Sequence, residues 1–375
     1  MKVCFVIRRF DFFVSHRLDL AFTLGKTHQV SIITDCLNVS EEEVQRIQAL
    51  GISIHHLAPR SGSFNLISYL KYILSLRRII HEIKPNFLFY VTLEMSALGA
   101  LLHNFISIKK SFFLITGLEP FFFNRKLKYI LYRAIQKIFF LLLRLRTNYQ
   151  FIFQNSDDMT IFINKKLVAK NHASIIRGSG IDTNYFSFHP RNTSAKLTFL
   201  FASRLTKSKG IIEYIDASRN LALQYPEIEF HIAGSFDLTD PDSITESQFY
   251  ELQSSQAIKY LGSLAFHEMK SCLNAASILV LPSYGEGLPK IALEAAASGM
   301  PLIMTDTTGS RDCVEEGRNG FLVNPKSSRH LMNAMETFIL DSNLVSSFGK
   351  NSFLLVKEHF SIELISKEYL KLIKD

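Results

Sequence analysis

Ser283-Tyr-Gly-Glu-Gly-Leu-Pro-Lys-Ile-Ala-Leu-Glu-Ala-Ala-Ala-Ser-Gly299 lies between two apolar runs, Ile278-Leu-Val-Leu-Pro282 and Pro301-Leu-Ile-Met-Thr305. The pattern predicts strand, glycine loop, short helix, strand. Gly285 and Gly287 flank Glu286, so backbone amides can approach a ligand closely, and a helix starting near Leu288 points its positive end at the same place. Pro289 suits the first helical turn and Gly299 the helix end. Glu286 stands in the loop and Glu294 inside the helix. Either carboxylate read alone is an ordinary surface charge. That reading is weak for Glu294, because Ile291, Ala292, Ala295 and Ala296 surround it, and a carboxylate there needs a partner or a ligand. An anion-binding loop carrying two carboxylates fits a ligand with both phosphates and hydroxyls.

Around this stretch the same grammar repeats. Lys2–Ile7, Gln29–Thr34, Asn86–Val91, Ser111–Ile115 and Phe151–Gln154 read as strands, with His16–Lys26, Phe64–Ile83 and Asn155–Val168 as intervening helices. The pattern restarts with strands at Leu197–Ala202, Glu229–Ala233, Ile258–Leu261, Ile278–Pro282 and Pro301–Thr305. Such alternation implies parallel sheets covered by helices on both faces. The expected fold class is α/β, with two Rossmann-like doubly wound domains facing each other across a cleft. A polar stretch from Phe186 to Lys196 marks the junction, giving a first domain over 1–186 and a second over 187–359. A helix at about 360–375 is able to pack back on the first.

The chain has 375 residues and is 47% hydrophobic, enough for two domains that each bury a core. No apolar span approaches the length of a transmembrane helix. Met1-Lys-Val-Cys-Phe-Val-Ile7 is interrupted by Arg8-Arg9 too soon for a signal peptide and reads as a first strand. Cys4, Cys36, Cys272 and Cys313 show no metal-ligand spacing and read as free thiols in a reducing cytoplasm. The net charge of +8 is asymmetric: residues 1–180 carry 24 Lys+Arg against 11 Asp+Glu, and the remainder 18 against 23, balances of +13 and −5. The basic half must meet something anionic or tolerate its own repulsion. Its basic residues are spread among apolar runs and form no nucleic-acid module, so nucleic acid is the weakest partner. Phe121–Gln150 holds seven Lys/Arg, no acidic residue and eight aromatics. It reads as a core helix with snorkelling cations, as a helix on an anionic membrane surface, or as both at once.

A second loop carries charge of the opposite sign. Ala202-Ser-Arg-Leu-Thr-Lys-Ser-Lys-Gly210 follows a predicted strand and puts Arg204 and Lys209, with Lys207 nearby, at its C-terminal end. A basic loop alone is usually solvated surface. This one gains weight because it should share a sheet edge with the Glu286 loop, and a diphosphate is the natural partner of such cations.

With these residues the chain resembles the family-4 glycosyltransferases, retaining enzymes of the GT-B fold. The resemblance rests on Glu286 and Glu294 at their spacing, on Arg204 and Lys209, and on Gly178-Ser-Gly-Ile-Asp182. In the first half it rests on Phe12-Phe-Val-Ser-His-Arg-Leu-Asp-Leu-Ala21, Thr116-Gly-Leu118 and Phe153-Gln-Asn-Ser-Asp157, which look like the subgroup acting on lipid-linked oligosaccharides in bacterial surface-polysaccharide assembly. The resemblance implies transfer of a hexose or N-acetylhexosamine from a UDP-sugar to a lipid-linked glycan, at the inner face of the cytoplasmic membrane. Arg204 and Lys209 would bind the donor diphosphate, with Ser203 beside them. Glu294 would bind the ribose, and Glu286 the sugar hydroxyls, assisted by Gly285, Gly287 and Leu288. No metal or other cofactor is implied. The chain departs from the pattern in two places. Arg8–Arg17 replaces a glycine-rich loop, leaving Ser15, His16 and Arg17 at a helix start as acceptor-side or phosphate-side groups, unless Ser15 is simply a helix cap. Thr116-Gly117 stands where relatives carry a histidine, so Glu119 and His16 become the first-domain candidates. Rival readings are a nucleotide-sugar epimerase or hydrolase of the same fold, and a catalytically silent scaffold subunit.

Overall fold

The structure, a computed structural model, describes residues 1–37, 39–58, 66–118, 127–191 and 196–374, without the side chains of 66, 67, 127–129 and 131. The chain divides into two compact units, Met1–Gly180 with Ile362–Asp375, and Ile181–Ser361. The division falls at Gly180–Ile181, ahead of the expected boundary after residue 186.

The first unit is built on β1 (Lys2–Arg9), β2 (Gln29–Asp35), β3 (Ile52–His56), β4 (Phe87–Val91), β5 (Lys110–Ile115), β6 (Tyr149–Phe153) and β7 (Ala173–Ile175). They form a parallel sheet of order β3-β2-β1-β4-β5-β6-β7. Its helices are α1 (Phe10–His16), α2 (Leu18–Gly25), α3 (Glu41–Ala49), α4 (Leu66–Ile83), α5 (Leu93–Leu102), α6 (Leu127–Leu142) and α7 (Ser156–Asn164). Successive strand residues point to opposite faces, and here both faces are covered. Cys4, Val6, Leu88 and Tyr90 pack under α4 to α7, while Val3, Phe5, Phe87 and Phe89 pack under α1, α2 and α3.

The second unit has β8 (Thr198–Ala202), β9 (Glu229–Ala233), β10 (Ile258–Tyr260), β11 (Ile278–Leu281), β12 (Leu302–Thr305) and β13 (Gly320–Val323), parallel in the order β10-β9-β8-β11-β12-β13. Around them lie α8 (Ile211–Gln224), α9 (Glu246–Gln253), α10 (Phe266–Ala275), α11 (Lys290–Ala297), α12 (Ser328–Leu340) and α13 (Asn343–His359). Phe199, Phe201, Val280 and Ile303 face α8 and α12, and Leu200, Leu279, Leu302 and Met304 face α10, α11 and α13. The last helix, α14 (Ile362–Leu372), belongs to the first unit, where Ile365, Tyr369 and Ile373 join the core beneath α1 and α2.

Both sheets are doubly wound α/β, as the alternation predicts. In the second unit the strand order turns between β8 and β11, so the loops leaving their C-terminal ends diverge around one crevice, the place where such sheets bind ligands. Among the elements not anticipated are the edge strands β3, β7 and β13, helices α3 and α5, and helix α1, which starts at Phe10 because Phe10 and Phe13 are buried. The helix expected over His16–Lys26 instead breaks at Arg17 (φ −131°, ψ −7°) and resumes as α2.

In the Phe121–Gln150 segment, residues 121–126 lie outside the described ones. The rest of it packs and exposes at once: Gln136, Phe140 and Leu143 are buried, whereas Ile135, Ile138, Leu142 and Leu145 stand exposed one turn apart. Among the described residues, no helix is long and apolar enough to cross a membrane. All four cysteines are free, and burial pushes the thiols of Cys4 and Cys313 up.

Candidate active site

The cation loop is shaped by two glycines. Gly210 adopts φ +75° at the start of α8, and a Cβ there would lie 2.1 Å from the carbonyl oxygen of Pro282, at the end of β11. Gly234 lies so close to Ser203 that a Cβ would come within 1.7 Å of its carbonyl. Only glycine permits these approaches. They bring the loops after β8, β9 and β11 into direct backbone contact, sealed by the Tyr284 amide donating to the Ser208 carbonyl over 2.8 Å. Lys209 Nζ then reaches Glu286 Oε1 at 2.6 Å, with both side chains largely buried. The expectation that cations and carboxylates share one sheet edge is met in this pair.

Arg204 is exposed and pairs with Asp240 of the loop after β9, Nη1 to Oδ2 at 2.9 Å. Asp242 of the same loop accepts from the Ser208 amide at 3.1 Å. These acids play no part in the sequence-derived site; nothing in a stretch such as Asp240-Pro-Asp242 distinguishes them from solvated loop charge.

The Glu286 loop rests on a third loop. Thr305 Oγ1 donates to the Ser283 carbonyl. Gly309, at φ +78°, lies against the carbonyls of Glu286 and Gly287, where a Cβ would sit 2.7 and 2.4 Å away. Gly285 is different: a Cβ there meets nothing within 4 Å among the described residues and its φ is ordinary, so no packing among them requires a glycine. Helix α11 begins at Lys290 with Pro289 as its N-cap, slightly later than the expected start near Leu288. Its end is as expected, with Gly299 at φ +80° beyond the cap. Glu294 is 6% exposed in this otherwise apolar helix, and Lys290 one turn earlier supplies a partner, Nζ to Oε1 at 3.1 Å. The i, i+4 spacing makes that pair legible in the sequence. It answers the demand for a partner without a ligand.

Tyr284 was also missed. Its hydroxyl donates to Glu213 Oε1 of α8 at 2.6 Å, and Lys326 Nζ stands 5.0 Å from its ring. Burial, then the hydrogen bond to Glu213, pushes the Tyr284 hydroxyl up, so it remains a donor near neutral pH.

In the first unit the expected anion group divides. Ser15 is no helix cap: it lies in the last turn of α1, donates to the Asp11 carbonyl at 2.7 Å, and contacts His16 Nδ1 at 2.7 Å. His16 is half-buried and stacks on Phe12. Arg17 is a correction. At 1% exposure its guanidinium is interior, with Nη1 3.4 Å from the Gly178 carbonyl and 3.3 Å from the Tyr369 hydroxyl. Gln154, with its amide turned to suit both neighbours, accepts from Arg17 Nη2 at 3.2 Å and donates to the Thr116 carbonyl at 3.1 Å. A buried charge needs such partners, and they tie α2 to the Gly178–Gly180 turn and α14. Glu119 lies outside the described residues.

Residues 184–354 match the family model described as "Glycosyl transferases group 1", and residues 2–147 match "Glycosyl transferase 4-like". The chain is 24% identical over 344 residues, 88% of each sequence, to N,N'-diacetylbacillosaminyl-diphospho-undecaprenol alpha-1,3-N-acetylgalactosaminyltransferase of Campylobacter jejuni. It is 27% identical over 168 residues to the capsular polysaccharide biosynthesis glycosyltransferase CapM of Staphylococcus aureus, covering 45% of this chain and 43% of that one. Its fold is similar to that of HepE from Anabaena, solved in complex with UDP and glucose, with a TM-score of 0.80 at 19% identity, covering 100% of this chain and 99% of that one. With one model matched in each of its two parallel α/β units, this chain belongs to the group 1 glycosyltransferases, with a glycosyl transferase 4-like N-terminal half and a GT-B fold.

Proposed function

We propose that the protein transfers a hexose or N-acetylhexosamine from a UDP-sugar, with retention of anomeric configuration, to a lipid-linked saccharide during assembly of a surface polysaccharide such as O-antigen or capsule. The observation that carries this reading is the meeting of Lys209 with Glu286 at the switch point of the second sheet: a cation suited to a diphosphate beside a carboxylate suited to sugar hydroxyls. Arg204 and Ser203 extend the phosphate side. A diphosphate arriving at Arg204 replaces an exposed ion pair worth at most about 1 kcal/mol, so little opposes the exchange. Glu294 takes the ribose hydroxyls, and the amides of Gly287 and Leu288, with the open space at Gly285, receive the sugar end.

In the reaction the bond from the anomeric carbon to the diphosphate oxygen breaks, and a bond to the acceptor oxygen forms on the same face. The acceptor proton passes to the departing phosphate. Charge grows on the diphosphate and on the sugar ring together, and Arg204, Lys209 and Glu286 are arranged to meet it. Two cations on the diphosphate support a reaction that needs no metal, so transfer should persist in a chelator. The relatives support the substrate classes: one is named for an undecaprenol-diphosphate-linked saccharide, one for capsule synthesis, and HepE carries UDP and glucose. The +13 balance of residues 1–180 and the exposed stripe of α6 support a peripheral position on the anionic inner face of the cytoplasmic membrane. Ser15 and His16 remain the proposed acceptor-side groups of the first unit.

The test is transfer from a panel of UDP- and GDP-sugars to a polyprenyl-diphosphate-linked saccharide, read by product mass. Glu286→Gln, Arg204→Ala and Lys209→Ala should each lower kcat by about 10²–10³-fold, the scale of losing one charge-stabilising group, with the fold retained by circular dichroism. Full activity in these variants would sink the assignment. Consumption of the nucleotide sugar without any acceptor would instead indicate an epimerase or hydrolase, and saturable binding without turnover a scaffold.

A further inference from the structure

Glu286 sits in a loop whose two ends are held differently. On the far side, Gly309 backs the carbonyls of Glu286 and Gly287. On the near side stands Gly285, where an added Cβ would meet nothing within 4 Å, and before it Tyr284. Tyr284 has three attachments: its amide to the Ser208 carbonyl at 2.8 Å, its hydroxyl to Glu213 Oε1 at 2.6 Å, and its ring beside Lys326 Nζ at 5.0 Å. Glu213 is only 8% exposed, and its Oε2 has no hydrogen-bond partner among the described residues. It lies in the first turn of α8, immediately after Lys209-Gly210, where the positive helix end favours a carboxylate. A buried carboxylate with one oxygen unserved depends on the donor that serves the other. The Tyr284–Glu213 bond therefore ties the Glu286 loop to the helix that Lys209 leads into, at a second point besides the Lys209–Glu286 pair.

We propose that Tyr284 is a positioning residue for transfer: through Glu213 it fixes the near end of the 283–288 loop, and with it the placement of Glu286 relative to the donor sugar. This rests on the donor-site reading above. Phosphate binding through Arg204 and Lys209 does not need the tether, whereas sugar alignment does. Losing it should cost turnover rather than nucleotide affinity, since a misplacement of about 1 Å at a reacting centre is worth on the order of 10²-fold in rate.

The experiment uses the full chain and four proteins: wild type, Tyr284→Phe, Glu213→Gln, and the double variant Tyr284→Phe/Glu213→Leu. The double variant removes the buried carboxylate that the single Tyr284→Phe change would strand. UDP binding is measured by calorimetry, and kcat and KM are measured with the sugar that wild type transfers. The expected result is UDP affinity within about twofold of wild type throughout, with kcat about 10- to 100-fold lower in Tyr284→Phe and in the double variant. Glu213→Gln, which keeps an acceptor for the tyrosine, should retain most of the rate. Wild-type kcat in both Tyr284→Phe proteins overturns the proposal, as does a parallel loss of UDP affinity and rate, or a Glu213→Gln variant as slow as Tyr284→Phe. Failure of wild type itself to bind UDP or transfer any sugar would overturn the donor reading instead, and the tether's role with it.

Discussion

Gly285 and Gly309 border the same loop, yet different pressures act on them. Gly309 is required by the fold, because its φ of +78° and the carbonyl of Gly287 leave no room for a Cβ. Gly285 has room and an ordinary backbone, so the fold does not demand it, and on the donor-site proposal its small size serves the sugar. Gly285→Ala should therefore leave stability within about 0.5 kcal/mol while raising the donor KM several-fold. Gly309→Ala should destabilise by about 1–3 kcal/mol and remove activity with it. Chemical denaturation and donor kinetics on both variants check the pair, and an active, stable Gly285→Ala would show that the open space is not used. Single residues also mark how far a sequence can be read. Glu294 stands out as a carboxylate in an apolar helix, and its partner Lys290 is one turn away. Arg17 does not stand out: a cation beside a serine and a histidine looks like surface, and only the approach of Gly178 and Tyr369 shows it to be interior.

Among the elements, α6 packs on one side and presents exposed apolar residues on the other. Phe140 and Gln136 fill its inner side, and Ile135, Ile138 and Leu142 form an outer stripe with Arg133 and Lys137 alongside. Burying such a stripe in the headgroup region while its cations meet anionic lipid would hold the unit to a membrane. In liposome flotation the protein should rise with vesicles containing phosphatidylglycerol and remain behind with neutral ones. Ile135→Ser/Ile138→Ser should abolish flotation without lowering the melting temperature, because both side chains are already in solvent. Equal flotation on neutral and anionic vesicles, or no effect of the double substitution, would refute this. Strand legibility followed burial. Central strands such as β8 and β11 are continuous apolar runs and are readable as such. The edge strands β7 and β13 are three and four residues long and partly exposed, and they exist because β6 and β12 offer a ladder to join.

At the scale of the whole chain, the first unit is discontinuous in sequence. Tyr369, at 1% exposure, packs in its core against Phe89 and meets Arg17, which makes α14 a structural part of the N-terminal half. Truncation after Ser361 should lower the calorimetric transition of the first unit and strand the buried Arg17. The transition of the second unit should be nearly unmoved. An equal shift of both transitions would contradict separate cores.

Local chemistry along the chain writes only part of this molecule. It specified two runs of alternating strand and helix, a glycine-bordered carboxylate loop, a basic loop after the first strand of the second unit, and a basic first half. Burial periodicity and glycine spacing are properties of neighbours along the chain. Folding in three dimensions alone brings together partners far apart in the chain: Lys209 with Glu286, Tyr284 with Glu213, Arg17 with Tyr369. The first two contacts exist because β8 and β11 lie side by side with β9 and β10 displaced to the edge, a strand order set by how the crossover helices pack. The third exists because the last helix returns to the first core. No window along the sequence contains either fact, since each depends on the free energy of packing the whole sheet.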